Sequence, residues 1–133
     1  MGARRVGSDG EQPDGVLNGA LIDSLVVDLG PELVGALVDL FVNDAPARIA
    51  ALRAAFEAGN AREVAKVAHT MRSAAGSVGA LAYASNCGRV ERLAASGRLN
   101  IATADLDRLP ADLAAAKAAL AAALTTVPPN GGR

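Results

Sequence analysis

The spacing of the small aliphatic residues is the feature that most limits how this chain can fold. Between residues 17 and 126, alanine, leucine and valine recur every three or four positions, as they do along one face of an α-helix. No segment shows the polar and β-branched alternation of a strand. The aromatic residues are only two Phe and one Tyr, so aliphatic side chains must fill the core. Because alanine and leucine are strong helix formers, the sequence predicts an all-α protein.

Asparagine, glycine and proline mark the ends of the predicted helices. Asn18 and Asn60 stand where a side chain caps a helix N-terminus. Gly30 and Gly59 stand where helices end, and Pro31 fits the first turn of the next helix. The five predicted helices cover approximately residues 18–29, 31–58, 61–79, 81–97 and 103–124.

Two prolines fall inside predicted helices, and the connections between helices are short. We expect a kink or a local break at Pro46 and a second kink at Pro110, since proline removes a backbone hydrogen bond. Short connections make successive helices antiparallel neighbours. The predicted fold is an antiparallel up-down-up-down four-helix bundle with a short extra helix at the N-terminus.

Composition and charge narrow the classes of function. Residues 1–16 and 127–133 are predicted to be flexible tails on either side of a bundle over residues 17–126. A formal net charge of −1 argues against a general nucleic-acid binder and gives no support for docking on a membrane. The single cysteine, Cys87, allows no internal disulfide, so the expected location is the cytoplasm.

The chain contains one histidine, His69, on the third predicted helix. A helical projection places five residues within about 60° of Val64, which together form the expected buried stripe: Val67, Ala68, Met71, Ala75 and Val78. His69 falls about 140° from Val64, nearly opposite the centre of that stripe. We therefore expect the imidazole to face solvent.

The predicted neighbours of His69 are cationic or small. They are Arg62, Lys66, Arg72, Ser73 and Gly76. A glycine inside a helix indicates close approach by another backbone. Cations neutralise the charge of a phosphoryl group, and a neutral imidazole is a competent nucleophile. A histidine phosphorylated on its ring is therefore the functional hypothesis, and a solvated histidine with no function is the alternative.

The segment HTMRSAAGSVGA, residues 69–80, resembles the signature H-[ST]-x-K-G-x-[SA]-x-x-x-G of histidine-containing phosphotransfer (HPt) domains. His69 matches the phosphorylated histidine, and Thr70 and Gly79 match the hydroxyl residue and the last glycine. Arg72 stands in the place of the usual lysine, and Ser73 in that of the usual glycine. The segment CGRVERLAASG, residues 87–97, is similar to the following helix of the family.

The resemblance implies a relay of phosphoryl groups between aspartates of receiver domains, which belong to response regulators or hybrid histidine kinases. His69 would be the phosphoacceptor, assisted by Arg72 and Lys66, while Arg62, Ser73 and Gly76 would contribute to binding. The chain would act as a monomeric carrier without a kinase or ATP site. It would bind no metal or other cofactor, and Mg²⁺ would sit on the receiver.

Two other functions remain open from the sequence. One is a helical adaptor that binds receiver domains without accepting phosphate. The other is a fragment of a chemotaxis-type histidine kinase, whose phosphorylated domain has a similar motif.

Overall fold

Five α-helices make up most of residues 15–125, the part of the chain that the computed structural model describes. These residues contain no strand. The helices are α1 (Gly19–Leu29), α2 (Pro31–Glu57), α3 (Ala61–Ser77), α4 (Leu81–Ala95) and α5 (Thr103–Thr125), with a short 3₁₀ helix at Leu99–Ile101 before α5. The predicted all-α class is confirmed. Residues 1–14 of the predicted N-terminal tail and all of the predicted C-terminal tail lie outside the described residues.

The predicted asparagine caps are present at two helix starts. The side-chain Oδ1 of Asn18 accepts a hydrogen bond from the backbone N–H of Leu21 at 3.1 Å. Asn60 Oδ1 accepts one from the N–H of Glu63 at 3.1 Å. Each cap satisfies a backbone donor that has no partner within the first turn. The starts of α1 and α3 are therefore fixed by local sequence.

Neither internal proline breaks its helix. α2 continues through Pro46 and α5 continues through Pro110. A local break at Pro46, one of the two outcomes expected there, is therefore wrong, while the kinks at Pro46 and Pro110 stay predictions. Both prolines are exposed, while the preceding residues Ala45 and Leu109 are buried in the core. Each ring removes one backbone hydrogen bond on the solvent side. Packing of the buried face is enough to keep each helix continuous.

Helices α2 to α5 form a closed bundle. α3 packs between α2 and α4, α5 packs against both α4 and α2, and α1 lies on α2. The connections between α2, α3 and α4 are three residues each, which makes these helices antiparallel. This is the predicted four-helix bundle with one extra N-terminal helix.

The core is aliphatic, as the composition predicts. Its largest fully buried side chains are Tyr83, Leu52, Met71, Leu106, Leu109, Leu120, Val34, Val64, Val90 and Cys87. The ring of Phe41 packs edge-on against that of Tyr83, with centroids 5.4 Å apart. No described helix is both long enough and apolar enough to cross a membrane.

The turn between α3 and α4 is joined to the segment that precedes α1. Gly79 has a φ of +79°, and the N–H of Ala80 donates to the carbonyl of Ala75, which closes α3 in the usual left-handed manner. The N–H of Asn18 donates to the carbonyl of Gly79 at 2.9 Å. A Cβ at residue 79 would lie 3.0 Å from Ile22 Cγ1. Both the backbone angle and the close packing of α1 therefore require glycine here.

A polar cluster joins α4 to α5. The Asn86 side-chain amide donates to the carbonyl of Asp105 at 2.8 Å and to Asp112 Oδ2 at 2.9 Å. The carboxylate of Asp105, which is nearly fully buried, forms ion pairs with Arg89 and Arg108. Because a buried carboxylate needs such partners, the cluster fixes α4 against α5. It thereby holds α4 in position beside α3.

Cys87 gives a direct test of this packing. The thiol is fully buried, and burial raises its pKa from 9.0 to about 12. At pH 8 almost no thiolate is present in the folded protein, and the thiolate is the reactive form. We expect Cys87 to resist a thiol reagent such as dithionitrobenzoate in buffer and to react within minutes in urea. Rapid reaction without denaturant would contradict the described packing of α4.

Candidate functional site

His69 projects outward from the middle of α3. Its side chain is 59% exposed, whereas Val64, Ala68, Met71 and Ala75 are buried on the opposite face of the helix. The helical projection therefore gives the correct direction for the ring. A solvent-facing imidazole is accessible to a reactant carried by another protein.

The charged group nearest to the ring is an acid that the sequence analysis does not identify. His69 Nδ1 lies 2.9 Å from Oε2 of Glu91, which projects from the neighbouring helix α4. The expectation that only cations and small residues surround the ring is therefore wrong. It fails because a projection of α3 alone omits side chains that arrive from α4. Glu91 is the candidate site residue that the sequence analysis does not identify.

Arg72 completes a three-residue cluster. Its Nε donates to Glu91 Oε1 at 2.9 Å, and one of its terminal nitrogens lies 3.0 Å from His69 Nδ1. Nδ1 cannot both donate to Glu91 and accept from Arg72, because it carries either a proton or a lone pair. An unprotonated Nδ1 would place its lone pair 2.9 Å from a carboxylate oxygen that can only accept, and the two would repel each other. We therefore place the proton on Nδ1, which leaves the lone pair on Nε2.

The carboxylate of Glu91 is 25% exposed and ionised at neutral pH. Partial burial acts to raise its pKa, but the hydrogen bonds and charges of Arg72 and His69 outweigh that effect and hold the pKa below the ordinary value of 4.5. The ion pair therefore stabilises the fold at neutral pH, and this contribution is lost as the pH falls through the lowered pKa. Near neutral pH, Glu91 can only accept a hydrogen bond from His69.

The other two predicted cations stand apart from this cluster. Arg62 and Lys66 lie on α3, two turns and one turn before His69, and both are exposed. Within residues 15–125 neither side chain forms an ion pair. They contribute positive charge along the helix on the N-terminal side of His69.

Ser73 and Gly76 line a polar groove between α3 and α4. A Cβ added at Gly76 would meet no atom within 4 Å outside the backbone of its own helix. The close backbone approach expected at Gly76 is therefore wrong within this chain, and the space above it is open. Ser73 is also exposed, so small side chains leave the surface beside His69 uncovered.

An apolar cleft lies on the other side of α3, between α3 and α2. It has a volume of about 470 Å³. Leu37, Leu40 and Phe41 of α2 and Met71 of α3 line it, and Thr70, the residue after His69, lies at its rim. Leu40 is mostly exposed. The histidine thus stands between an apolar surface and a polar one, which together resemble the apolar centre and polar rim of a protein interface.

Three comparisons with known proteins bear on this arrangement. The family model described as the Hpt domain matches residues 36–119. The structure also resembles the crystal structure of histidine-containing phosphotransfer protein B (HptB) from Pseudomonas aeruginosa PAO1. The two chains are 26% identical, the match covers 84% of this chain and 96% of the other, and the TM-score is 0.75. No curated protein matches the sequence.

Proposed function

This chain belongs to the Hpt domain family, whose members take part in histidine phosphotransfer within phosphorelays, and on that premise we propose that His69 is its phosphoacceptor. His69 accepts a phosphoryl group from the aspartate of one receiver domain and passes it to the aspartate of another. The chain is then a carrier between receivers and has no kinase activity of its own.

The observation that carries this proposal is the fixed orientation of the imidazole. Oε2 of Glu91 lies 2.9 Å from Nδ1, and the His69 side chain is 59% exposed. With the proton placed on Nδ1, that N–H donates a hydrogen bond to Glu91, and the lone pair is on Nε2. A nucleophile needs an accessible lone pair held in a defined direction. Phosphoryl transfer asks little more of a protein than positioning and charge stabilisation.

The reaction balances without any further reactant. Nε2 attacks the phosphorus of the aspartyl phosphate in line with the bond to the aspartate oxygen. The N–P bond forms as that P–O bond breaks, and the carboxylate leaves with its electron pair. The phosphorylated ring retains its Nδ1 proton and gains positive charge, which the carboxylate of Glu91 stabilises. Transfer to the second aspartate is the reverse of these steps.

The remaining predicted residues have distinct roles in this proposal. Arg72 fixes Glu91 and lies close enough to the ring to screen the negative charge of the phosphoryl group. Lys66 adds charge one turn away. Arg62 adds charge farther along α3, while Ser73 and Gly76 provide open surface on which a receiver can pack closely.

The partners are the receiver domains of response regulators or hybrid histidine kinases. A receiver would cover the apolar cleft beside Thr70 and bring its aspartyl phosphate over His69. It would also supply the Mg²⁺, so the carrier, acting as a monomer, needs no metal or other cofactor of its own.

Radiolabelled phosphoryl transfer tests the proposal. The full chain is incubated with a panel of receiver domains that carry a labelled phosphoryl group on their aspartates. We expect the label to move to this chain with at least one receiver. It should be labile in acid and stable in base, as a phosphoramidate is. Because the chain contains one histidine, a label identified as phosphohistidine in a base hydrolysate can only be on His69.

Two results would contradict the proposal. A receiver that binds the chain in a pull-down but never transfers label would indicate the adaptor function. A label that is lost in base would place the phosphoryl group on a carboxylate. The control is a receiver domain whose phosphorylated aspartate is replaced by asparagine. It should transfer no label to this chain, which excludes transfer from any other site on the receiver.

A further inference from the structure

The polar groove between α3 and α4 has chemistry that the histidine cluster does not use. It has a volume of about 440 Å³ and begins at Arg72. Its lining consists of two arginines and five small residues, which are Arg72, Arg92, Ser73, Gly76, Ala84, Ser85 and Gly88. Small residues leave room for a group from outside, and the arginine and serine side chains provide hydrogen-bond donors.

The two arginines come together over Gly88 of α4. A Cβ at residue 88 would lie 3.1 Å from Cδ of Arg72 and 3.4 Å from a terminal nitrogen of Arg92. Arg72 reaches this place from α3, and Arg92 reaches it from one turn farther along α4. The absence of a side chain at Gly88 is what allows both arginines to lie here.

The charge in the groove is not balanced. Arg72 forms an ion pair with Glu91. The guanidinium of Arg92 forms no ion pair with any residue of the described 15–125 range. Two arginines against one carboxylate leave a single positive charge in the groove. An oxyanion bound there would accept hydrogen bonds from guanidinium groups and balance that charge.

We propose that this groove binds a carboxylate side chain of the protein that docks over His69, with Arg92 as its main contact. One negative charge matches the one unbalanced positive charge, which favours a carboxylate over a doubly charged phosphate. In this proposal Arg92 contributes to binding of the partner, and His69 alone carries out phosphoryl transfer. This inference rests on the proposed function, because that function supplies the receiver domain as the docking partner. The affinity of the groove for an oxyanion does not depend on the proposed function.

A titration of the full-length protein tests the groove itself. Sodium acetate and inorganic phosphate are added separately at constant ionic strength, and the Nε–H signals of the arginines are followed by NMR. We expect the Arg92 signal to shift saturably with acetate, while the signal of Arg98, exposed just beyond the end of α4, does not. An Arg92 response no larger than that of Arg98 would overturn the proposal. Tighter binding of phosphate than of acetate at Arg92 would overturn its assignment to a carboxylate.

Transfer kinetics test the role of the groove in docking. With a receiver that labels the wild type, Arg92→Gln should raise the KM for the phosphorylated receiver by about tenfold and leave kcat unchanged. The matched control, Arg98→Gln, should leave both constants unchanged. An unchanged KM in Arg92→Gln, or a loss confined to kcat, would overturn the proposal. If the wild type itself accepted no label, the proposed function would fail, and the acetate titration would still decide whether the groove binds a carboxylate.

Discussion

Replacing His69 with glutamine should abolish phosphoryl transfer and leave the fold intact. The chain has no other imidazole, so no second residue can form a phosphohistidine. The side chain is 59% exposed and makes no contribution to the core. Loss of its contact with Glu91 should therefore change the free energy of unfolding by no more than about 1 kcal/mol.

The measurement combines labelling with urea unfolding of the same preparation. His69→Gln should take no label from a receiver that labels the wild type, and its unfolding midpoint should remain close to that of the wild type. Lys117→Gln, an exposed substitution on α5, is the control and should be labelled normally. Retention of label by His69→Gln would mean that the acceptor is a different residue, and the proposed function would then be wrong.

The direction of His69 could be predicted because it depends on one helix only. Asn60 fixes where α3 begins, and the stripe of Val64, Ala68, Met71 and Ala75 fixes which side is buried. These two local facts determine the exposed face without knowledge of the other helices. The architecture follows in the same way, since short connections leave few arrangements for amphipathic helices.

Glu91 could not be identified in this way, because its place depends on how α4 is rotated against α3. The antiparallel hairpin does carry a partial signal. His69 lies ten residues before Gly79 and Glu91 lies twelve residues after it, so the two are at similar heights on adjacent helices. Burial of Cys87, Val90 and Ala94 then turns Glu91 to the edge of α4 that faces α3. A projection of both helices together would have found it.

At the two prolines, in contrast to Glu91, a clear local signal in the sequence is overridden by packing in the core. The local cost of a proline inside a helix is real, but Ala45 and Leu109 are packed in the core directly before Pro46 and Pro110. Burial of the inward face holds each helix together around its proline. Gly76 shows a related limit, because the cost of a glycine inside a helix predicts a close neighbour, whereas a Cβ there would meet no atom within 4 Å outside the backbone of its own helix.

Replacing Glu91 with alanine should slow phosphoryl transfer by about 10- to 100-fold without unfolding the bundle. Glu91 touches neither the phosphorus nor Nε2, so it acts as a positioning residue through its contact with Nδ1. Without its carboxylate, the imidazole is free to rotate and to move its proton to Nε2. The positive charge that develops on the ring also loses its stabilising partner. Glu91→Gln keeps an oxygen that can accept the Nδ1 proton, and we expect it to recover part of the rate.

Two measurements separate positioning from a general structural effect. Nitrogen chemical shifts of the imidazole should report a proton on Nδ1 in the wild type and a mixture of the two tautomers in Glu91→Ala. The matched control is Asp107→Asn, which removes the interhelical ion pair between Asp107 of α5 and Arg53 of α2. It should cost similar stability, up to about 1 kcal/mol, with no loss of transfer rate. If Asp107→Asn slowed transfer as much as Glu91→Ala, the effect would come from the packing of the bundle. Among the described residues, the Glu91 carboxylate is the only protein group within hydrogen-bonding distance of Nδ1 that can accept a hydrogen bond from it. A wild-type transfer rate in Glu91→Ala would therefore show that the nucleophile needs no fixed tautomer.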